Sequence, residues 1–407
     1  MKKFLTFIIT LAFMLNAFTG CAVPESNINA NGSKGADEKI SIVTTIFPEY
    51  DWVKSVLGDK ADDAEVTMLL DKGVDLHSYQ PTTDDILKIS TCDLFIYVGG
   101  ESDGWVDDAL TEATNKDMIV INLLDTLEGS VKEEEMIEGM QEGEHAHEHE
   151  HEDGEEAEDA DYEHEHEDGE EAEDADHEHD EEAEDADHEH EHEDGEEAED
   201  ADHEHEHEDG EEAEDADHEH EHEHEEGEVE YDEHVWLSLR NASTIVSSIS
   251  DALAKISPDN ADTYKKNADA YITELNNLDS EYKTAISSAK SKTILFGDRF
   301  PFRYLVDDYD LDYYAAFVGC SAETEASFET ITFLANKVDE LSLTSVMTIE
   351  KSDQKIAKTI VENTTAKNQK ILTLDSMQAT TSDDVKNGAT YMSIMQSNLS
   401  VLKEALN

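Results

Sequence analysis

Short apolar runs alternate with amphipathic segments along most of the chain, in two sets of four. The runs are rich in β-branched and aromatic residues and predict strands, while segments such as 82–90, 323–340 and 383–404 predict helices. This alternation is typical of βα units, so the predicted fold class is α/β, with two lobes built on mostly parallel four-stranded sheets. The predicted strands are 40–47, 66–70, 94–98 and 118–123 in the first set, and 293–296, 311–317, 345–350 and 370–374 in the second.

A longer helical pattern separates the two sets of strands. Pro258 opens the segment 259–289, in which apolar and aromatic side chains recur at spacings of three and four residues. At 1.5 Å per residue such a helix is roughly 45 Å long, enough to cross both lobes. The chain is therefore predicted to form two lobes joined by a single long helix, with a cleft between the lobes.

The amino terminus has the pattern of a bacterial export signal. Lys2 and Lys3 precede an apolar run over 4–18, and the run ends at Thr19-Gly20-Cys21, which resembles a lipobox. Lipidation of Cys21 would anchor the mature protein to the outer face of the cytoplasmic membrane. The predicted parts of the chain are a signal peptide (1–21), a flexible stalk (22–38), an N-terminal lobe (39–141), an acidic loop (142–230), the end of the N-terminal lobe (231–257), the linking helix (258–290) and a C-terminal lobe (291–407).

The charge of the chain is concentrated in one segment. The 407 residues include 104 Asp and Glu against 27 Lys and Arg, a net charge of −77. The stretch 142–230 holds 52 of the 104 acids and 18 of the 20 histidines, with no Lys or Arg. Such a balance argues against nucleic-acid binding and favours cations. Because the stretch has few apolar residues, we predict that it is a disordered loop.

The acidic loop repeats a chemical pattern. Glu-Glu-Ala-Glu-Asp-Ala-Asp recurs from Glu155 onward, interleaved with alternating His and Glu. Alternate histidines of an extended segment project to one side, where pairs can share a divalent ion. We interpret the loop as a loose, multi-site collector of zinc or a similar metal, the alternative being a solvated insert. The auxiliary low-affinity ligands are predicted to be His145, His147, His149, His151, His203, His205, His207, His218, His220, His222 and His224.

Only His77 and His234 lie outside this loop. His77 belongs to the segment 73–81, after the second predicted strand, and His234 lies where the ordered pattern resumes. A single histidine is more often a satisfied surface or core residue than a ligand, but the two together are candidates for one metal site. Cys92 and Cys320 allow either a disulfide or two buried thiols, and their spacing does not decide between these alternatives.

Several ordered motifs resemble one known family. The segments 43–48, 73–81, 92–100 and 234–237, together with the helix over 260–282, are similar to the substrate-binding proteins of zinc/manganese ABC transporters. The resemblance covers 40–130 and 230–405. It implies two lobes, a connecting helix and one metal bound between the lobes by side chains from four loops.

The resemblance also implies a ligand set. It places His77 and His234 on the two histidine ligands, Asp298 on the third position and Asp353 on the fourth, with Glu350 as the alternative fourth ligand. Other roles stay open, since Asp298 could pair with Arg299 and Asp353 could cap a helix. Independently of the family, Asp298 and Glu350 lie near the carboxyl ends of predicted strands, where open α/β sheets place their clefts.

Two imidazoles with carboxylates suit a borderline divalent ion. The histidine-rich loop favours Zn²⁺, with Mn²⁺ as the alternative and nickel or copper behind them. The predicted function is extracytoplasmic, high-affinity zinc binding by a monomer that delivers the ion to an ABC permease and its ATPase, without catalysis. The alternatives are a manganese-specific protein of the same family, a surface metal buffer with a cell-adhesion role, and an extracellular zinc hydrolase.

Overall fold

The computed structural model describes residues 39–141, 230–321 and 325–407, which belong to one compact unit. The signal peptide, the stalk, Cys21 and the auxiliary histidines of the acidic loop lie outside the described residues, so their predicted roles stay predictions. No helix within the described ranges is long and apolar enough to cross a membrane.

The N-terminal lobe is built on a four-stranded parallel sheet. Its strands are β1 (Ile40–Thr44), β2 (Ala64–Met68), β3 (Leu94–Tyr97) and β4 (Ile119–Asn122), in the order β2-β1-β3-β4. Its helices are α1 (Phe47–Leu57), α2 (Thr83–Thr91), α3 (Val106–Thr111) and α4 (Leu123–Thr126). Residues such as Ile42 and Phe95 are fully buried, as expected when helices cover both faces of a parallel sheet.

Two consecutive helices follow the acidic loop. They are α5 (Leu239–Ile256) and α6 (Ala261–Ser287), and α6 is 27 residues long, about 40 Å at 1.5 Å per residue. At one end the Asn267 amide donates to the Val56 carbonyl oxygen in α1, at 3.0 Å. Towards the other end the Tyr282 hydroxyl donates to the Met395 carbonyl oxygen in the C-terminal lobe, at 2.6 Å. The predicted linking helix is therefore confirmed.

The C-terminal lobe repeats the same sheet topology. Its strands are β5 (Thr293–Phe300), β6 (Asp312–Val318), β7 (Ser345–Thr348) and β8 (Lys370–Thr373), in the order β6-β5-β7-β8, with every pair parallel. Its helices are α7 (Arg303–Tyr309), α8 (Phe328–Leu341), α9 (Lys355–Asn363), α10 (Ser382–Lys386) and α11 (Tyr391–Ala405). The predicted α/β class with two four-stranded lobes is confirmed.

The two lobes share an apolar core. Trp52 of α1 and Tyr391 of α11 are both fully buried, and their rings meet edge to face with centroids 5.1 Å apart. The same buried cluster includes residues of both sheets, such as Ile42 and Phe296. Because this core is continuous, loops at the lobe boundary are held against each other, and that boundary is where the candidate site lies.

Several predicted element boundaries were wrong; β5, for example, was predicted over 293–296 and runs to Phe300. The strand predicted over 40–47 ends at Thr44, because Phe47 and Pro48 open α1. The helix predicted over 383–404 is two helices, separated around Gly388, whose φ of 98° ends the first. The helix predicted over 323–340 begins at Phe328, where the Ser327 hydroxyl accepts the Thr330 N–H as an N-cap.

Candidate metal centre

His77 is presented by a short turn at the lobe boundary. The 3₁₀ turn Leu76–Ser78 follows Asp75, whose carboxylate accepts the His77 backbone N–H at 3.1 Å. This Asx-type turn orients the backbone without contacting the ring. The side chain of His77 is 10% exposed, so it is mostly buried but still reached by solvent.

The Nδ1 atom of His77 is held by two oxygen groups. It lies 2.7 Å from the Ser102 hydroxyl and 3.4 Å from Glu233 Oε2. Glu233 is itself fixed, because its Oε1 accepts the Ser102 N–H at 2.8 Å. Burial raises the pKa of Glu233, but its interactions with His77 and Ser102 outweigh this and hold the pKa below its usual value. An ionised carboxylate beside Nδ1 favours a proton on that nitrogen, which leaves Nε2 with its lone pair.

His234 is held in the same way and is fully buried. Asp232 Oδ1 accepts the His234 backbone N–H at 2.8 Å and lies 2.9 Å from the His234 Nδ1. The C-terminal lobe fixes this segment, since the Tyr304 hydroxyl donates to the Asp232 carbonyl oxygen at 2.8 Å. The Trp236 indole N–H also donates to the Ser376 carbonyl oxygen, at 2.8 Å.

The Nε2 atoms of the two histidines converge. His77 Nε2 and His234 Nε2 are 3.2 Å apart. Two nitrogens bound to one tetrahedral zinc ion at about 2.0–2.1 Å are separated by about 3.3 Å, so this spacing fits a shared ion. Carboxylates that hold the other ring nitrogen are the usual partners of metal-bound histidines. The pair therefore fits a divalent metal on grounds of geometry and donor chemistry.

Cys320, two residues after the end of β6, is the third side chain at this point that could hold a metal ion. Its Sγ and one ring nitrogen each of His77 and His234 all lie within 4.8 Å of one another. The Cys320 N–H donates to Glu134 Oε1 at 3.2 Å. Burial, and next the charge of Glu134, raise the pKa of the Cys320 thiol far above its usual range. Within the described chain Cys320 is not disulfide-bonded, and neither is Cys92, whose Sγ lies 3.2 Å from the Ile89 carbonyl oxygen.

Gln378 closes the site from the C-terminal lobe. Its side-chain Nε2 lies 2.6 Å from His234 Nε2 and 3.3 Å from His77 Nε2. The loop that carries it is supported by Glu350, whose carboxylate accepts the Ser376 N–H at 2.7 Å and the Ser376 hydroxyl at 2.8 Å. Glu350 therefore supports the loop that carries Gln378, through its contacts with Ser376.

Asp298 belongs to a neighbouring cleft of about 440 Å³. It lies within β5, and its carboxylate accepts the Arg299 N–H at 3.0 Å and the Ile349 N–H at 3.4 Å. Burial raises its pKa. The next residue, Arg299, pairs with Asp75 of the other lobe. Among the described residues, Asp298 does not join the group formed by His77, His234 and Cys320.

Asp353 lies on the surface. Its carboxylate accepts the Lys355 N–H at 2.9 Å and pairs with the Lys355 ammonium at 2.6 Å. The side chain of Asp353 is 60% exposed, and its contacts resemble those of a residue capping α9. The structure therefore brings together His77 and His234 from the predicted ligand set, and leaves Asp298, Asp353 and Glu350 in other contacts.

A cavity of about 270 Å³ opens beside His77 and Cys320, two residues of the candidate metal centre. Glu101, Glu134 and Glu233 are among the side chains that line it. Acidic walls raise the local concentration of cations, so the cavity gives a divalent ion a favourable approach to His77 and Cys320.

One signal in the sequence, present at both histidines, would have sharpened the prediction. Both histidines follow an aspartate by two residues, as Asp75-Leu76-His77 and Asp232-Glu233-His234, and each aspartate accepts the histidine N–H. The proximity of Gln378 has no comparable signal, because it is 301 residues from His77 along the chain.

Comparison with known proteins places these features in a family. The family described as "Zinc-uptake complex component A periplasmic" matches residues 42–405. The zinc-binding lipoprotein AdcA of Streptococcus pneumoniae (strain ATCC BAA-255 / R6) is 28% identical over 379 residues, which cover 93% of this chain and 58% of the relative. The high-affinity zinc uptake system protein ZnuA of Bacillus subtilis (strain 168) is 26% identical over 404 residues, 98% of this chain and 96% of the relative.

Structural comparison agrees with the sequence comparison. The Zn(II)-bound ZnuA-like domain of Streptococcus pneumoniae AdcA has a TM-score of 0.56 at 24% identity, covering 90% of this chain and 99% of that domain, and so shares the fold. The chain spans little more than half the length of the streptococcal relatives, 56% to 58%. Since the family match extends over nearly the whole chain, this protein belongs to the family of periplasmic zinc-uptake components of the ZnuA type.

Proposed function

We propose that this protein binds zinc outside the cytoplasm and delivers it to an ABC importer. The observation that carries the proposal is the 3.2 Å separation of His77 Nε2 and His234 Nε2, with both Nδ1 atoms held by oxygen groups. Membership of the zinc-uptake family and the zinc-binding names of the relatives support zinc over manganese.

The importer supplies a permease and an ATPase, and the protein acts as a monomer without catalysing a reaction. Lipidation of Cys21 tethers it to the outer face of the cytoplasmic membrane, in keeping with the lipobox-like Thr19-Gly20-Cys21. The histidine-rich loop collects zinc at the surface and passes it to the site between the lobes.

Competition titration with a zinc chelator tests this proposal. Wild-type protein is expected to show one tight site and several weak ones, and the His77→Ala/His234→Ala variant is expected to lose the tight site and keep the weak ones. The exposed pair Asp353→Ala/Lys355→Ala is a control that should bind as the wild type does. Retention of the tight site in the double histidine variant would show that the zinc is held elsewhere.

A further inference from the structure

Cys320 meets both histidines, although the ligand set implied by the family resemblance does not include it. We propose that Cys320 is the third ligand of the bound metal and gives up its thiol proton to solvent when the metal binds, so that His77, His234 and the Cys320 thiolate hold zinc as a His₂Cys site. The proposal rests on the proposed function and specifies the donor atoms of that site. It gives a role to a residue that the sequence assigns only to a disulfide or a buried thiol.

The distances suit one shared ion. The Sγ of Cys320 and one nitrogen of each histidine all lie within 4.8 Å of one another. Zn–S bonds of about 2.3 Å and Zn–N bonds of about 2.0–2.1 Å separate the donors of a tetrahedral site by roughly 3.3–3.6 Å. Side-chain adjustments of about 1 Å therefore bring all three donors onto one ion.

The backbone around Cys320 is packed against the histidine pair. A Cβ at Gly319 would lie 3.0 Å from His234 Cε1, so the absence of a side chain there lets the end of β6 approach the imidazole. The Cys320 N–H is held by Glu134 Oε1 at 3.2 Å. The space at Gly319 and the hydrogen bond to Glu134 together place Cys320 beside the ring that would share its metal.

The carboxylate expected in this position is engaged elsewhere. Asp298 accepts the backbone N–H groups of Arg299 and Ile349, at 3.0 Å and 3.4 Å. Replacing a hard carboxylate by a soft thiolate favours zinc over manganese, because manganese prefers oxygen ligands. Cys320 is therefore also a determinant of metal selectivity.

Cobalt substitution tests the thiolate directly. One equivalent of Co²⁺ is added to the full-length protein with a chelator that outcompetes the weak sites. A thiolate-to-cobalt charge-transfer band in the near ultraviolet is expected for wild type, and equally for Cys92→Ser and Cys21→Ser. Cys320→Ser should lose the band, and its zinc affinity should fall by more than about tenfold, with a smaller change for Mn²⁺.

Measurements on the wild type and on rival variants separate the possible failures. X-ray absorption of zinc-loaded wild type should show a sulfur near 2.3 Å beside nitrogens at about 2.0–2.1 Å, whether or not Cys320→Ser folds. A nitrogen and oxygen shell alone, with Asp298→Asn rather than Cys320→Ser losing zinc, would overturn the role of Cys320 and leave the proposed function intact. Tight binding that survives His77→Ala/His234→Ala would instead refute the proposed function.

Discussion

Arg299 of the C-terminal lobe pairs with Asp75 of the N-terminal lobe, two residues before His77. Both side chains are about four-fifths buried, with exposures of 20% and 21%. Burial raises the pKa of Asp75, but Arg299 and His77 outweigh it and hold the pKa below its usual value. The same carboxylate caps the His77 turn, so this ion pair links the contact between the lobes to the position of a candidate metal ligand.

Arg299→Ala is therefore expected to affect both stability and metal retention. Loss of a partly buried pair should lower the free energy of unfolding by about 1–2 kcal/mol and speed zinc dissociation, because the His77 turn loses its support. Thermal unfolding and stopped-flow transfer of zinc to a chelator measure the two effects. Lys355→Ala removes an exposed pair within one lobe and should change neither. An unchanged rate of zinc dissociation in Arg299→Ala would show that the contact between the lobes does not influence the metal site.

Gly100 allows Glu233 to approach His77. Its φ is 84°, and a Cβ there would lie 2.5 Å from Glu233 Oε1. Gly129 has a similar φ of 83° but open space around it. Gly129→Ala should lower the free energy of unfolding by about 1 kcal/mol, from backbone strain alone. Gly100→Ala should lower the free energy of unfolding by more than this, as measured by chemical denaturation. It should also weaken zinc binding, because Glu233 must move. Equal losses in the two variants would contradict this account.

Two carboxylates of the C-terminal lobe, both candidates for the fourth ligand, are expected to behave differently. Glu350→Ala frees the Ser376 N–H and hydroxyl that hold the Gln378 loop, so zinc affinity should fall by about tenfold. Asp353→Ala removes an exposed carboxylate and should leave affinity unchanged. Isothermal titration of each variant in a protein that lacks 142–228 compares their tight sites, and the opposite ranking would make Asp353 the ligand.

Deletion of 142–228 should remove the weak sites and keep the tight one. The segment holds 18 imidazoles among closely spaced carboxylates, which suits loose binding of many ions. Zinc content after equilibrium dialysis, measured by elemental analysis, is expected to fall to one ion per chain. A second variant keeps the loop but has its histidines changed to Gln. It tests whether imidazole is responsible for the weak sites. Loss of the tight site on deletion would place that site in the loop.

The stability of the fold should depend on Asp51. Burial raises the pKa of this carboxyl to about 6, although it accepts the Tyr391 N–H. The folded state then binds more protons than the unfolded state between about pH 4 and 6, so stability from this group falls as pH rises through that window, by up to about 3 kcal/mol. Asp51→Asn should flatten this dependence in denaturant titrations and be more stable near pH 7. Asp59→Asn, at an exposed aspartate, is the control.

Local patterns in the sequence account for most of the fold. The spacing of apolar residues and the local composition predict the eight strands and the linking helix, because the residues that each element buries lie close together in the sequence. The interruption between α10 and α11 escaped this reasoning, since Gly388 breaks a pattern whose apolar positions continue on both sides. Ser327 was likewise a cap inside an apparently continuous pattern.

The sequence by itself determined the two lobes, the segregation of acids and histidines into one loop, and the choice of His77 and His234 as the remaining histidines. Only the tertiary structure decided what surrounds them. It brought Cys320 close to both histidines and placed Gln378 Nε2 2.6 Å from His234 Nε2. The Asp298 carboxylate instead accepts backbone N–H groups. The physical reason is that strand and helix formation depend on nearby residues, whereas a metal site depends on how loops from two separately wound sheets pack across their shared core.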